Sequence, residues 1–397
     1  MGFGSRQQHN DTIIRGRLDL FNEFVVKKPD YHSIINMKNR RTNKLLLQLH
    51  IIMLATLFQL FTQIKICSKK YNLCILEFMC IFGQYIPKLI NLDINDAICI
   101  SDLLIGFCIF IIASSTIFKT ISLSIYMIML IPLGLGIGML TNILFYQYII
   151  MFHNSQQSLM NFYSFWIPLG YIIYISLNFY FTKIKANLFC LISIAFLILG
   201  LISYRSFTII PFDKKVKKVF NVKFFLLINF LYICNNIDSV IHTRYLNYPI
   251  VYPNTVIGIL NLLKTEITSI IFGMCGLILS TTILTKKQTL IFSIALSTLL
   301  YWIIHNYKID NLDIKWQLRL LYTGANFVGF STLGLVVFKD LFSVLDGPYY
   351  VFNISIFLAQ LLSTIKSLCV SKIQEYIVTA WIMISLLIIV LFCYTEI

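Results

Sequence analysis

The sequence predicts an all-α polytopic membrane protein, with twelve transmembrane helices in two pseudo-symmetric halves of six. Three observations predict it. The chain is 58% hydrophobic, with 33 Phe and only 12% charged residues, which is more apolar surface than a water-soluble core of 397 residues can hide. Its apolar residues fall in twelve runs, most of them about as long as the roughly 20 residues that a helix needs to cross the hydrocarbon. A basic segment, PFDKKVKKVFNVK (Pro211 to Lys223), divides those runs into six and six.

Taken in order, the first apolar run begins at Leu45, behind nine Lys or Arg residues. That layout is unlike a short cleavable leader, so the N-terminal segment is expected in the cytosol. The opening MGFGSR misses the myristoylation pattern, because Arg6 stands where Ser or Thr is required. Within the same segment, TIIRGRLDLFNEFVV can lie amphipathically on a membrane surface. The spanning runs are 45–66, 72–92, 98–118, 120–151, 157–182, 186–204, 223–243, 255–285, 288–305, 317–342, 349–371 and 376–394. Very short joints, such as Lys119 alone or His153 to Gln156, demand tight antiparallel hairpins.

With a cytosolic start, the inside segments hold 19 Lys or Arg and the outside joints 12, with Lys264 inside a span completing the 32. That bias puts both termini in the cytosol. The expected organisation is a cytosolic segment 1–44, a six-helix half 45–204, a basic cytosolic loop 205–222 and a second half 223–394. The net charge of +15 is concentrated at the N-terminus and in the central loop, without interleaved aromatic platforms. It suits an anionic lipid surface and not nucleic acid. The ten cysteines lie mostly in or beside apolar runs with no C-x-x-C pair, and read as packing residues. Nothing in the sequence asks for a cofactor or a metal.

The two halves echo each other. PLGLGIGMLTN (Pro132 to Asn142) in the fourth run precedes the aromatic MNFYSFWIPLGYIIYI (Met160 to Ile175). GANFVGFSTLG (Gly324 to Gly334) in the tenth precedes YYVFNISIFLAQLL (Tyr349 to Leu362). Small residues at this spacing let helices approach closely, and Pro132 and Pro168 mark places where helices can bend.

On these features the chain resembles the major facilitator superfamily: six plus six helices, a basic central loop and a Gly-rich fourth helix leading into an aromatic fifth. The family's Gly and Asp-Arg signature between helices two and three is missing from GQYIPKLINLDINDA (Gly83 to Ala97), which sets the chain apart from the large sugar and drug-export branches. GANFVGFSTLGLVVF is similar in texture to the tenth helix of equilibrative nucleoside transporters, although those have eleven helices and Tyr376 to Tyr394 reads as a twelfth. The resemblance implies a secondary transporter that moves a small polar organic solute (a nucleoside, sugar or amino acid) by alternating access.

In such a bundle, polar side chains at mid-depth line the solute path, since a charge facing lipid costs several kcal/mol. In NLLKTEIT, Lys264 and Glu266 lie about 200° apart on a regular helix and cannot pair. Asn261, Lys264, Thr265 and Thr268 share one face, which either lines the cavity or puts Lys264 at the interface with its ammonium snorkelling to water. Glu266 then points at a neighbouring helix. In CNNIDSVIHTR, Asn235, Asp238 and His242 recur at helical spacing. Asp238 and His242 are candidates to carry a coupled proton. Asp238 could instead neutralise Lys264, or this end of the helix could emerge into water. Asn326, and Asn353 with Gln360 seven residues on, could bind a solute or bond one helix to another, as could Asn142, Gln147, Gln59 and Gln84.

The competing class is a membrane-embedded lipid-modifying enzyme such as an acyltransferase, for which His305 is the one candidate base. H-E-x-x-H, a short acidic D-x-D loop and a Cys/His cluster are all missing from the sequence.

Overall fold

The computed structural model describes residues 42–58, 60, 71–90, 92, 94–118, 123–152, 155–181, 185–206, 256–306, 312–331, 333, 336, 383–385, 387–388 and 390–391. The chain divides into two compact units, Met1–Leu45 and Leu46–Ile397. Only residues 42–45 of the first are described, and the helical bundle belongs to the second.

Every described element is helical: α1 (Thr42–Phe58), α2 (Tyr71–Gly83), α3 (Ile94–Phe118), α4 (Leu123–Phe152), α5 (Gln156–Tyr180), α6 (Lys185–Ser206), α7 (Val256–Ile278), α8 (Lys286–Asn306) and α9 (Leu312–Asn326). Among the described residues, six stretches, in α3 to α8, are long and apolar enough to cross a bilayer. The chain is therefore an integral, multi-pass, all-α membrane protein. The predicted runs 223–243 and 349–371 lie outside the described residues, and 376–394 is described only in part.

Local chemistry sets the hairpins. Ser155 opens α5 by accepting the Ser158 N–H on its hydroxyl at 3.2 Å. Between α7 and α8, Thr285 and Gln288 cap each other: the Gln288 N–H donates to Thr285 Oγ1 at 3.3 Å, and the Thr285 N–H to Gln288 Oε1 at 3.0 Å. This reciprocal box satisfies two donors that the start of a helix leaves open.

The second apolar run is not one rod, contrary to the sequence expectation. α2 stops at Gly83, the chain turns at Gln84 and Tyr85, and a single further turn follows at Ile86–Leu89. Pro87 is the cause: it has no N–H to give to the carbonyl four residues back. Pro132 leaves α4 uninterrupted. Ahead of Pro168 the backbone winds as a π-turn over Phe162–Trp166, closed by the Ile167 N–H on the Phe162 carbonyl.

The helices pack through small residues. On α4, Gly134 and Gly138 press on Leu76, Met79 and Cys80 of α2, so close that a Cβ on Gly134 would stand 2.6 Å from that of Met79. One turn further, the Asn142 amide donates to the Gln84 carbonyl at 3.0 Å, beside the break in α2. α3 and α6 zip together similarly, Ser193 Oγ donating to the Gly106 carbonyl at 2.7 Å and Gly200 admitting the Asp102 Cβ to within 3.0 Å of where its own would be. Among later helices, Gly324 of α9 lies against Phe272 of α7, and the Ser293 hydroxyl of α8 donates to the Ala325 carbonyl of α9. Lys287 of α8 reaches the Leu391 carbonyl with Nζ at 2.9 Å.

One apolar core links these elements, from Leu47 and Leu57 of α1 through Ile98 and Ile137 to Leu290 and Ile294 of α8. A smaller one gathers Tyr301, Ile304, Tyr322 and Met383. On the other side of α3 and α6, Phe107, Phe110, Ile194 and Ile198 are exposed, a surface suited to lipid tails and not to water.

Candidate functional site

Helices α5 and α7 meet along a seam made by their sequence periodicity. On α7, Glu266, Gly273 and Ser280 recur every seven residues and so share a face. Each has its counterpart on α5. Glu266 lies within electrostatic range of Tyr171. Gly273 abuts Ser164, and the Ser280 hydroxyl points at Met160 Sδ, 3.7 Å away. Partners that ascend on α7 descend on α5, so the two helices run antiparallel. Both change hand-hold near the seam's end, where α5 winds as the π-turn Phe162–Trp166 and α7 continues into a second, Leu279–Ile283. A third π-turn, Phe327–Ser331, extends α9 and lays Val328 against Gly276 of α7. Such turns occur often at functional sites because they break the regular helical ladder.

The four residues expected to form one polar stripe on α7 are not equivalent in the fold. Thr265 is buried, Asn261 and Thr268 are half-buried, and Lys264 is exposed. Lys264 stands on an edge with Leu260, Ile267 and Ile271, all exposed apolar side chains, a setting in which its stem meets the bilayer and its ammonium can reach the headgroups. Glu266, two residues on, is 5% exposed and faces α5. The hydroxyls of Thr265, Thr268 and Ser269 donate to the carbonyls of Asn261, Lys264 and Thr265. Each keeps lone pairs for a partner outside the helix.

Asn326 is buried where α9 passes into its π-turn. Asn142 bonds α4 to the α2 break, the helix-to-helix role considered for it above. Gln147 is buried, and its Nε2 has no hydrogen-bond partner among the described residues. Asn235, Asp238, His242, Asn353 and Gln360 lie outside the described residues. Among the described residues no three of His, Cys, Asp and Glu come together as a metal site.

The most concentrated buried polar cluster involves residues that the sequence reading passes over. His50 of α1, Asp102 of α3 and Ser203 of α6 are all 0% exposed. His50 Nε2 lies 2.8 Å from Asp102 Oδ2 and 3.2 Å from Ser203 Oγ, while Nδ1 lies 2.7 Å from the Leu46 carbonyl. The available signal was a single histidine in one apolar run and a single aspartate in another, in LLLQLHIIML and CISDLLIG. Its partner could not be read, because the two lie 52 residues apart on different helices.

This all-helical bundle shares its fold with solved structures of transporters of the major facilitator superfamily. It resembles the major facilitator superfamily transporter FucP in its outward conformation, with a TM-score of 0.64 at 12% identity over 89% of this chain and 99% of that one. It also resembles the xylose transporter XylE from E. coli in a partially occluded inward-open conformation, with a TM-score of 0.65 at 10% identity over 90% and 98%. A third is the nucleoside transporter NupG, as a point mutant, with a TM-score of 0.61 at 10% identity over 90% and 100%. No protein-family model matches the chain, and no curated protein matches it in sequence.

Proposed function

We propose that this protein is a secondary transporter, and not an enzyme, that carries a small polar organic solute such as a nucleoside, sugar or amino acid across a membrane by alternating access. The observation that carries the proposal is the α5–α7 seam within a fold shared with structures named as xylose and nucleoside transporters. A seam of Gly273 on Ser164 and Ser280 on Met160 has little side-chain interlocking to resist sliding, which suits two bodies that rock against each other.

Helix pairing supports the division into halves 45–204 and 223–394, joined by the loop 205–222. α2 packs on α4 as α7 packs on α9, and α3 on α4 as α8 on α9. The α3–α6 pairing has its counterpart in the tie from Lys287 of α8 to Leu391 near the end of the chain. Each pairing recurs after the same shift along the chain, as two parallel repeats require. In this reading both termini and the segment 1–44 are cytosolic.

The solute path is assigned to Asn235, Asp238, Asn261, Thr265, Thr268, Asn326, Asn353 and Gln360. Lys264, on the exposed apolar edge of α7, takes the interfacial role instead, and Asp238 with His242 carries a coupled proton. XylE is named as a proton:xylose symporter, which favours a proton as the coupled ion. The deciding experiment is uptake by the reconstituted protein of nucleosides, sugars and amino acids, each with and without a pH gradient. Saturable uptake of one class above protein-free vesicles is expected. Turnover of bilayer lipid with no solute uptake would favour the acyltransferase reading.

A further inference from the structure

The ring of His50 is held at both nitrogens. A carbonyl oxygen can only accept, so Nδ1, 2.7 Å from the Leu46 carbonyl, carries a hydrogen. A neutral ring would then turn the lone pair of Nε2 onto the carboxylate oxygen of Asp102, 2.8 Å away. With both side chains fully buried, no solvent screens that clash. One further proton removes it. The proton can sit on Nε2, giving an imidazolium beside a carboxylate, or on Oδ2, giving a carboxylic acid that donates to a neutral ring; the pair has zero net charge either way.

The surroundings suit a site that loads and unloads such a proton. Asp102 Oδ1 is buried without a hydrogen-bond partner among the described residues, leaving an acceptor for a water or an arriving proton. α6 faces the pair with Ser203, whose Oγ lies 3.2 Å from Nε2, and with Gly200 against the Asp102 Cβ. Facing it from α3 is Cys99, which lies within electrostatic range of Asp102 and of the exposed Asp96. His50 lies midway along α1, Asp102 about two turns into α3 and Ser203 in the last turn of α6, so the cluster ties three helices together.

We infer that His50 and Asp102 form a binding site for a single proton, built by α1 and α3 and closed by Ser203 of α6. Occupied, the site bonds the three helices together; emptied, it sets two lone pairs against each other and weakens that tie. The site goes beyond the transport proposal and stands whether or not a solute is moved.

The test uses the full-length protein in lipid nanodiscs with 13C-carboxyl aspartate, followed by infrared difference spectroscopy from about pH 6 to about pH 10, above the range where ordinary aspartates titrate. One aspartate band is expected to change together with a histidine ring band, and the thermal midpoint to fall as the proton leaves. In Asp102→Asn the side-chain amide donates to Nε2 permanently, so the aspartate band is lost and the midpoint becomes flat across that range. Ser203→Ala keeps both partners and shifts the frequency of the band. An unchanging aspartate spectrum in the wild type, a band unmoved in Ser203→Ala, or the same pH profile in wild type and Asp102→Asn would overturn the assignment.

Discussion

Gly273 of α7 lies so close to Ser164 of α5 that an added Cβ would stand 2.5 Å from the serine Cβ and 3.1 Å from its Cα. Neither obstacle is the end of a flexible side chain, so a larger residue there must push the two helices apart. Gly273→Ala is expected to lower stability by about 1–3 kcal/mol, the usual cost of overpacking. Thermal unfolding in detergent measures it. Adding Ser164→Gly removes one of the two clashes and should restore part of the loss. Equal destabilisation in the single and double variants would mean that the contact is not the cause.

Asn142 should matter for stability and not for solute. Its amide spends a proton on the Gln84 carbonyl at 3.0 Å, in a buried site next to the α2 break. Asn142→Ala is expected to cost about 0.5–2 kcal/mol, the range for a hydrogen bond between membrane helices together with the donor that the carbonyl loses. In uptake assays the apparent solute affinity should stay at the wild-type value. A large rise in KM with unchanged unfolding would instead place Asn142 on the solute path.

Lys264 and Glu266 should behave as opposites. Lys264 is exposed beside Leu260 and Ile267, whereas Glu266 is buried against α5. A nitroxide attached to a cysteine at position 264 is expected to collide with oxygen dissolved in the bilayer, and one at 266 to be shielded from it in the folded protein. Glu266→Gln keeps the shape and cannot ionise, so it should melt no lower than the wild type. Glu266→Lys puts a longer, charged chain in the same slot and should prevent folding. Frequent collision at 266, or none at 264, would reverse the assignment of the two faces.

Asp238 is the residue on which the assigned solute path depends most. Asp238→Asn is expected to abolish uptake while far-UV circular dichroism shows wild-type helix content. Uptake at the wild-type rate would remove Asp238 from the path, and a loss of helix content would mark it as structural.

Much of the fold was legible because a helix in lipid must satisfy its own backbone and hide no apolar face, so length and hydropathy locate it almost unaided. The described helices begin and end within a few residues of most predicted runs, and the Gly-rich stretch at Gly134 and Gly138 does bring α4 hard against α2. The break at Gln84 was missed because hydropathy does not register it, although Gly83 with Pro87 four residues on is a local turn signal. At the site, the spacing of Asn261, Lys264, Thr265 and Thr268 does not tell which of them meet other helices: Thr265 is buried and Lys264 exposed. Which side of a helix meets lipid, and that His50 meets Asp102, depend on tertiary packing that a single sequence does not display.

The most direct measurement of a rocking carrier locks the α5–α7 seam. Cysteines at Met160 and Ser280, in a chain whose ten native cysteines are replaced, are joined by a short bifunctional thiosulfonate across the contact. Uptake of the solute found in the screen should stop on linking and return on reduction. Undiminished uptake with the link intact would show that the seam does not move during transport.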